Sequence, residues 1–138
     1  MLTNKIVVYC DGGARGNPGP AASAFVALEN SKVVYKESLF LGKTTNNVAE
    51  YQSVVIALNW LSKQKSQQES IKVVVDSQLV FRQLNGEYKI KKEELKKLAI
   101  KIKRLEKKIK SEIIFDWLPR SKNKIADKLV NKELDKNI

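Results

Sequence analysis

The chain has no histidine and a single cysteine, Cys10, among its 138 residues. Cys10 lies inside an apolar run, where a free cysteine reads as a small buried side chain. Without imidazole or an available thiolate, the residues disfavour a zinc or other soft-metal site. One cysteine cannot form an internal disulfide, which fits a reducing cytoplasm. No apolar run approaches the roughly 20 residues of a membrane helix, and the opening MLTNKIVVYC lacks the layout of a signal peptide. No membrane partner is therefore expected. At 43% hydrophobic and 30% charged residues, the composition is that of a globular protein rather than a disordered one, and the length suits one domain over residues 1–138.

What is abundant is positive charge, a formal +11, and it is uneven. Residues 1–85 carry 9 basic and 6 acidic side chains, residues 86–110 carry 11 and 4, and residues 111–138 carry 6 and 5. A basic surface attracts polyanions and speeds encounter with them. A lysine-rich helix can equally be a solvated face, so the charge gains meaning only beside a site.

The β-branched run KIVVYC (5–10) ends at Asp11 and Gly12 and reads as a strand buried on both faces. GGARGNPGP (12–20) reads as a loop on its glycine and proline content. Apolar stretches at 22–28 and 33–41 form a hairpin with Asn30 and Ser31 near its turn. Thr44, Thr45, Asn46 and Asn47 offer capping side chains ahead of a helix reaching about Gln64, with Val54, Ala57, Leu58 and Leu61 on its inner stripe. IKVVV (71–75) is a fourth strand ending at Asp76, followed by a short helix over 77–84 and a break at Asn85 and Gly86. Between Lys91 and Lys110, Leu95, Leu98, Ala99, Ile102, Leu105 and Ile109 share one face, a stripe too short for a coiled coil on its own. EIIFDWL (112–118) is a fifth strand, and a last helix begins near Asn123 with Ala126, Val130 and Leu134 inward. The order βββαβααβα describes an α/β domain, one mixed sheet covered by helices.

Four acids occupy suggestive places. The first and fourth strands both end in Asp followed by a small or polar residue, Asp11-Gly12 and Asp76-Ser77. If a helical crossover makes these strands parallel neighbours, both carboxylates emerge at one sheet edge, where ligand sites form. Glu50 heads the core-facing stripe of the crossover helix, a costly place for an unpartnered charge. Asp127 lies early in the last helix. Singly, the aspartates could be turn formers and the helix acids could answer the macrodipole. Together they would repel unless a cation neutralised them, and an all-oxygen ligand set suits Mg²⁺ or Mn²⁺. Two such ions suit in-line attack at a phosphodiester.

The chain resembles the type 1 ribonuclease H family. The residues that carry this are Tyr9-Cys10-Asp11-Gly12-Gly13 with Gly16-Asn17-Pro18-Gly19; Thr44-Thr45-Asn46-Asn47-Val48-Ala49-Glu50; Val75-Asp76-Ser77-Gln78; and Asn123-Lys124-Ile125-Ala126-Asp127. The series runs in order from residue 4 to about 135. Single motifs such as DGG are weak, but the four-part series is specific. The resemblance implies a ribonuclease H-like fold, a five-stranded mixed sheet flanked by helices. It also implies hydrolysis of the RNA strand of RNA–DNA hybrids by a two-metal-ion mechanism.

By the same resemblance Asp11 would bridge two Mg²⁺ ions, with Mn²⁺ as a substitute. Asp127 would help hold the ion that activates water, and Glu50 and Asp76 the other. Gly12, Gly13 and Asn17 would approach the RNA backbone and its 2′-hydroxyls, Asn47 and Gln78 the minor groove, and Thr45 a DNA phosphate. For Thr45 and Asn47 plain helix capping competes with those roles. Two departures stand out. Many relatives carry a histidine before the fourth acid, where this chain reads Pro119-Arg120-Ser121-Lys122-Asn123, so Arg120 or Lys122 is the candidate to assist. The separate basic handle of some relatives is absent, leaving the 86–110 segment as substrate grip. A nucleic-acid-binding module that kept the fold and lost catalysis, a nuclease acting on double-stranded RNA or branched DNA, and a plain interaction protein using the lysine-rich helix stay open as alternatives. Small size and the lack of an interface stripe favour a monomer.

Overall fold

The computed structural model describes residues 5–64 and 70–138. The first four residues, part of the stretch read above as lacking a signal peptide's layout, lie outside the described residues. Five strands and four helices follow in the expected order. They are Ile6–Ala14 (β1), Gly19–Glu29 (β2), Lys32–Thr44 (β3), Asn46–Ser62 (α1), Ser70–Val75 (β4), Gln78–Leu84 (α2), Glu93–Lys108 (α3), Glu112–Trp117 (β5) and Lys124–Asn137 (α4), with a short 3₁₀ turn at Arg120–Lys122. The sheet order is β3-β2-β1-β4-β5. β1, β2 and β3 pair antiparallel, whereas β4 runs parallel to both β1 and β5. Among the described residues no helix is long and apolar enough to cross a membrane.

The β2–β3 hairpin turns at Asn30 and Ser31, with φ of 52° and 69°. Two consecutive left-handed residues match the twist of the flanking strands. Asn30 also accepts a bond from the Lys5 backbone N–H at 3.1 Å, fastening the turn to the residue before β1.

Two expectations need correction. The segment 12–20 is not all loop: β1 continues through Gly12, Gly13 and Ala14, and β2 begins at Gly19. The ladder pairs Asp11↔Ala24, Gly12↔Ser23, Gly13↔Ala22 and Ala14↔Ala21. Small residues on both strands let the backbones pair closely, and the ladder hydrogen bonds outweigh the flexibility of glycine. Nor is β1 buried on both faces. Ile6, Val8 and Cys10 are buried, while Val7 and Tyr9 are only half-buried.

That asymmetry follows from the helix layers. On one face Val8, Cys10, Phe25, Val73 and Val75 pack with Val54, Leu58 and Leu61 of α1, Val80 and Leu84 of α2, and Leu95, Ile102 and Leu105 of α3. Each large aliphatic side chain fully buried there contributes about 1.5–3 kcal/mol. On the other face α4 covers Ala22 and Ala24 with Val130 and Leu134. The α3 stripe is thus a packing seam against α1, and its lysines face outward.

Candidate active site

The parallel ladder between β1 and β4 ends at Tyr9↔Val74. Two residues further along each strand come Asp11 and Asp76, level with each other beyond the last pair. Asp11 is therefore not at the end of β1. It continues the antiparallel ladder with β2 while leaving the parallel one with β4, which opens its side toward Asp76.

Glu50 is brought in by close backbone approach. A Cβ on Gly12 would clash with the carbonyl of Ala49 and would lie 2.5 Å from the Glu50 backbone nitrogen. Only glycine lets β1 and the first turn of α1 meet this closely. Buried Ser23 donates to the Ala49 carbonyl at 2.6 Å, and Ser53 donates to the Glu50 carbonyl at 2.6 Å. Thr45 is the residue that caps α1, its hydroxyl accepting from Val48 N–H at 3.2 Å. Asn46 adds a tie that the sequence did not single out: its Oδ1 accepts from Ala14 N–H at 2.8 Å. Asn17 Oδ1 in turn accepts from Asn46 N–H at 3.0 Å, so the β1–β2 loop is fastened to the head of α1.

The outcome is three carboxylates from three elements, Asp11, Glu50 and Asp76, each offering an oxygen within 4.8 Å of the others. Asp11 is 3% and Glu50 5% exposed. Burial first, then the charge of Asp76, pushes the Asp11 carboxyl from 3.8 up to about 8. Burial and the charges of Asp11 and Asp76 likewise push Glu50 well above the usual carboxylate range. Burial, with Glu50 and Asp11 nearby, also raises the Cys10 thiol, which leaves it neutral and unreactive. Glu50 Oε2 is buried without a hydrogen-bond partner. An orphaned carboxylate oxygen, raised carboxyl groups and an all-oxygen donor set are what a hard divalent cation would satisfy. The residues fit such an ion.

Asp127 stands in the first turn of α4, half-exposed and outside the three-carboxylate group. Its charge is nevertheless close enough to contribute to the rise at Asp11. A polar cavity of about 430 Å³ opens over Glu50 and Asp76, lined also by Gly12, Ala14, Asn46, Asn47, Ser77 and Arg120. Asn47 also borders a second groove of about 480 Å³ with Leu79, Gln83, Tyr88, Lys89, Lys91 and Lys92. Lys122 faces elsewhere, into a cavity with Tyr9, Val26, Leu28 and Ile125. Gly13 has open space, with Val130 the nearest neighbour at 3.9 Å, and Gln78 is exposed at the start of α2.

Two side chains to which the sequence assigned no role hold Asp76. Trp117 Nε1 donates to the Asp76 carbonyl at 3.1 Å. Asn123, 1% exposed, donates through Nδ2 to the Cys10 carbonyl at 2.8 Å and to Asp76 Oδ2 at 3.1 Å. Asn123 could have been noticed as the polar residue opening the fourth motif. Nothing in local sequence marks Trp117.

Residues 9–133 match the family model described as reverse transcriptase-like. Bifunctional protein Rv2228c of Mycobacterium tuberculosis is 36% identical over 133 residues, which cover 95% of this chain but only 36% of that protein. The structure of its N-terminal RNase H domain superposes with a TM-score of 0.87 and covers 95% of this chain and 94% of that one. Ribonuclease HI of Halobacterium salinarum is 32% identical over 136 residues, 95% of this chain and 65% of the relative. The structure of LC11-RNase H1 in complex with RNA/DNA hybrid, a protein isolated from compost by a metagenomic approach, is 40% identical. It superposes with a TM-score of 0.91 over 96% of this chain and 99% of that one.

Proposed function

Because the chain belongs to the type 1 ribonuclease H family, we propose that it is an endonuclease hydrolysing the RNA strand of RNA–DNA hybrids with divalent cations. The observation that carries this reading is the trio Asp11, Glu50 and Asp76, with oxygens within 4.8 Å of one another, two of which, Glu50 and Asp76, line an open polar cavity. Mg²⁺ ions, or Mn²⁺ in their place, would supply activation of water and stabilisation of the departing oxygen.

The chain's own residues do the rest. Asp11 and Asp76 at the sheet edge and Glu50 on α1 would hold the cations, with Asp127 contributing from α4. Gly12, whose backbone lines the acidic cavity, and Gly13 beside it would approach the RNA backbone and its 2′-hydroxyls, the group that separates RNA from DNA. Asn17 sits on the β1–β2 loop that follows them. Asn47, which lines both the acidic cavity and the neighbouring lysine-bordered groove, would contact the hybrid's minor groove. Gln78 at the head of α2 would reach the minor groove, and Thr45 would sit near a phosphate of the DNA strand. Arg120 adds a permanent positive charge at the cavity wall. Residues 1–138 as a single ribonuclease H domain, monomeric and cytoplasmic, complete the reading.

The test is cleavage of one labelled RNA strand paired with DNA, paired with RNA, or single-stranded. Each is run with Mg²⁺, Mn²⁺ or chelator, beside Asp76→Asn. Cation-dependent cutting of the hybrid, lost in Asp76→Asn, is expected. Equal cutting of the RNA duplex would widen the substrate class. Tight hybrid binding without cutting under either cation would overturn the enzyme reading.

A further inference from the structure

We propose that Asn123 is a positioning residue for the cation site: its side-chain amide holds the Asp76 carboxylate in the orientation that joins it to Asp11 and Glu50. The inference rests on the cation-dependent reading above.

Asn123 reaches three of the four acids or their supports. Its Nδ2 donates to the Cys10 carbonyl at 2.8 Å, the peptide immediately before Asp11. The same nitrogen donates to Asp76 Oδ2 at 3.1 Å. Its backbone carbonyl accepts from the Asp127 N–H at 3.1 Å, in the first turn of α4. It fills the place just past Tyr9↔Val74, where the β1–β4 ladder stops and both aspartates begin.

The energetics point to a functional reason for an amide here. Asn123 Oδ1 is buried without a partner, which costs stability. Turning the amide over would set that oxygen against the Cys10 carbonyl and the Asp76 carboxylate, acceptor against acceptor, so the surroundings fix its orientation. An apolar side chain of similar size would leave no orphaned oxygen of its own. What the amide contributes instead is an N–H aimed at Asp76. The terminal torsion of an aspartate is broad, so an unanchored Asp76 carboxylate would be free to turn away from Asp11 and Glu50. The Asn123 N–H opposes that turn before any cation arrives.

The experiment titrates Mn²⁺ into the full chain without nucleic acid, by calorimetry and by the electron paramagnetic resonance of free Mn²⁺. Wild type is compared with Asn123→Leu, Asn123→Ala and Asn123→Ser, and chemical denaturation in chelator reports stability separately. Loss of an outer partner of a metal ligand typically weakens metal affinity about 10–100-fold. That loss is expected in Asn123→Leu and Asn123→Ala even where stability in chelator is retained, with partial recovery in Asn123→Ser, which keeps a donor. Mn²⁺ affinity within about twofold of wild type in the folded variants would overturn the proposal, as would failure of all three to fold. If wild type itself binds no Mn²⁺, the functional reading falls with it. If wild type binds Mn²⁺ and cuts hybrid while the variants bind equally well, only the role of Asn123 is lost.

Discussion

Gly12 lies against Ala49 so closely that no side chain fits between them. This approach, between the strand that carries Asp11 and the helix turn that carries Glu50, sets the separation of the two most buried acids.

Gly12→Ala is accordingly expected to damage the site and the fold together. Overpacking a tight interface costs about 1–3 kcal/mol, and relief here requires α1 to move off the sheet. Urea denaturation should show the loss of stability, and Mn²⁺ affinity should fall in parallel. Gly13→Ala, whose added Cβ would have Val130 as its nearest neighbour at 3.9 Å, is the control and should keep both.

The acids should destabilise the cation-free protein. Asp11 binds its proton up to about pH 8 when folded, whereas its ordinary value is 3.8. Between those values the folded state holds more protons than the unfolded state, so stability in chelator should fall as pH rises through that window. Adding Mg²⁺ should reverse the trend, because the cation replaces the proton as the neutralising charge. Asp11→Asn and Glu50→Gln should each be more stable than wild type in chelator at pH 8, by about 1–2 kcal/mol, while losing cleavage. Equal or lower stability in both variants would contradict the account.

Arg120 and Lys122, the two candidates to stand in for the absent histidine, should behave differently. Arg120 lines the cavity over Glu50 and Asp76, and Lys122 lines a separate one beside Tyr9 and Leu28. Arg120→Ala should lower kcat by roughly tenfold, about 1.4 kcal/mol in the barrier. Lys122→Ala should stay within about twofold. Single-turnover cleavage of a hybrid separates this effect from product release.

The basic segment should divide by position. Lys89, Lys91 and Lys92 border the groove that shares Asn47 with the acidic cavity. Lys96 and Lys103, by contrast, are engaged on α3 with Glu93 at 3.3 Å and Glu106 at 3.6 Å. Charge reversal at Lys89, Lys91 or Lys92 should raise KM and reduce the salt slope by roughly one unit for each phosphate no longer neutralised. Reversal at Lys103 should do less. A uniform effect along the helix would mean that the whole basic face of α3, rather than the groove, grips the substrate.

Much of this protein was legible in its chain. Apolar runs, capping residues and the Asn30-Ser31 turn marked the strands and helices, because those signals are local. The inward stripe of α1, from Val54 to Leu61, is buried as its spacing requires. Asp11, Glu50 and Asp76 stood out because acids at strand ends and at the head of an apolar stripe are costly without a shared purpose.

Tertiary structure decided the rest. Sequence could not tell that Gly12 and Gly13 extend a strand, since glycine's freedom is overridden only by a partner strand of small residues, Ala21 to Ala24. It could not choose Thr45 as the cap, or Asn46 as a tie to Ala14, from four adjacent capping side chains. Arg120 and Lys122 stand equal along the chain, and only the 3₁₀ turn sends them to different cavities. Nor could local pattern join Asn123 to Asp76, 47 residues apart. The sequence determines which side chains bear charge and where the chain turns. Long-range pairing determines which of them meet, because the oxygen-to-oxygen distances at the site depend on the β1–β4 register and on the packing of Gly12 against α1.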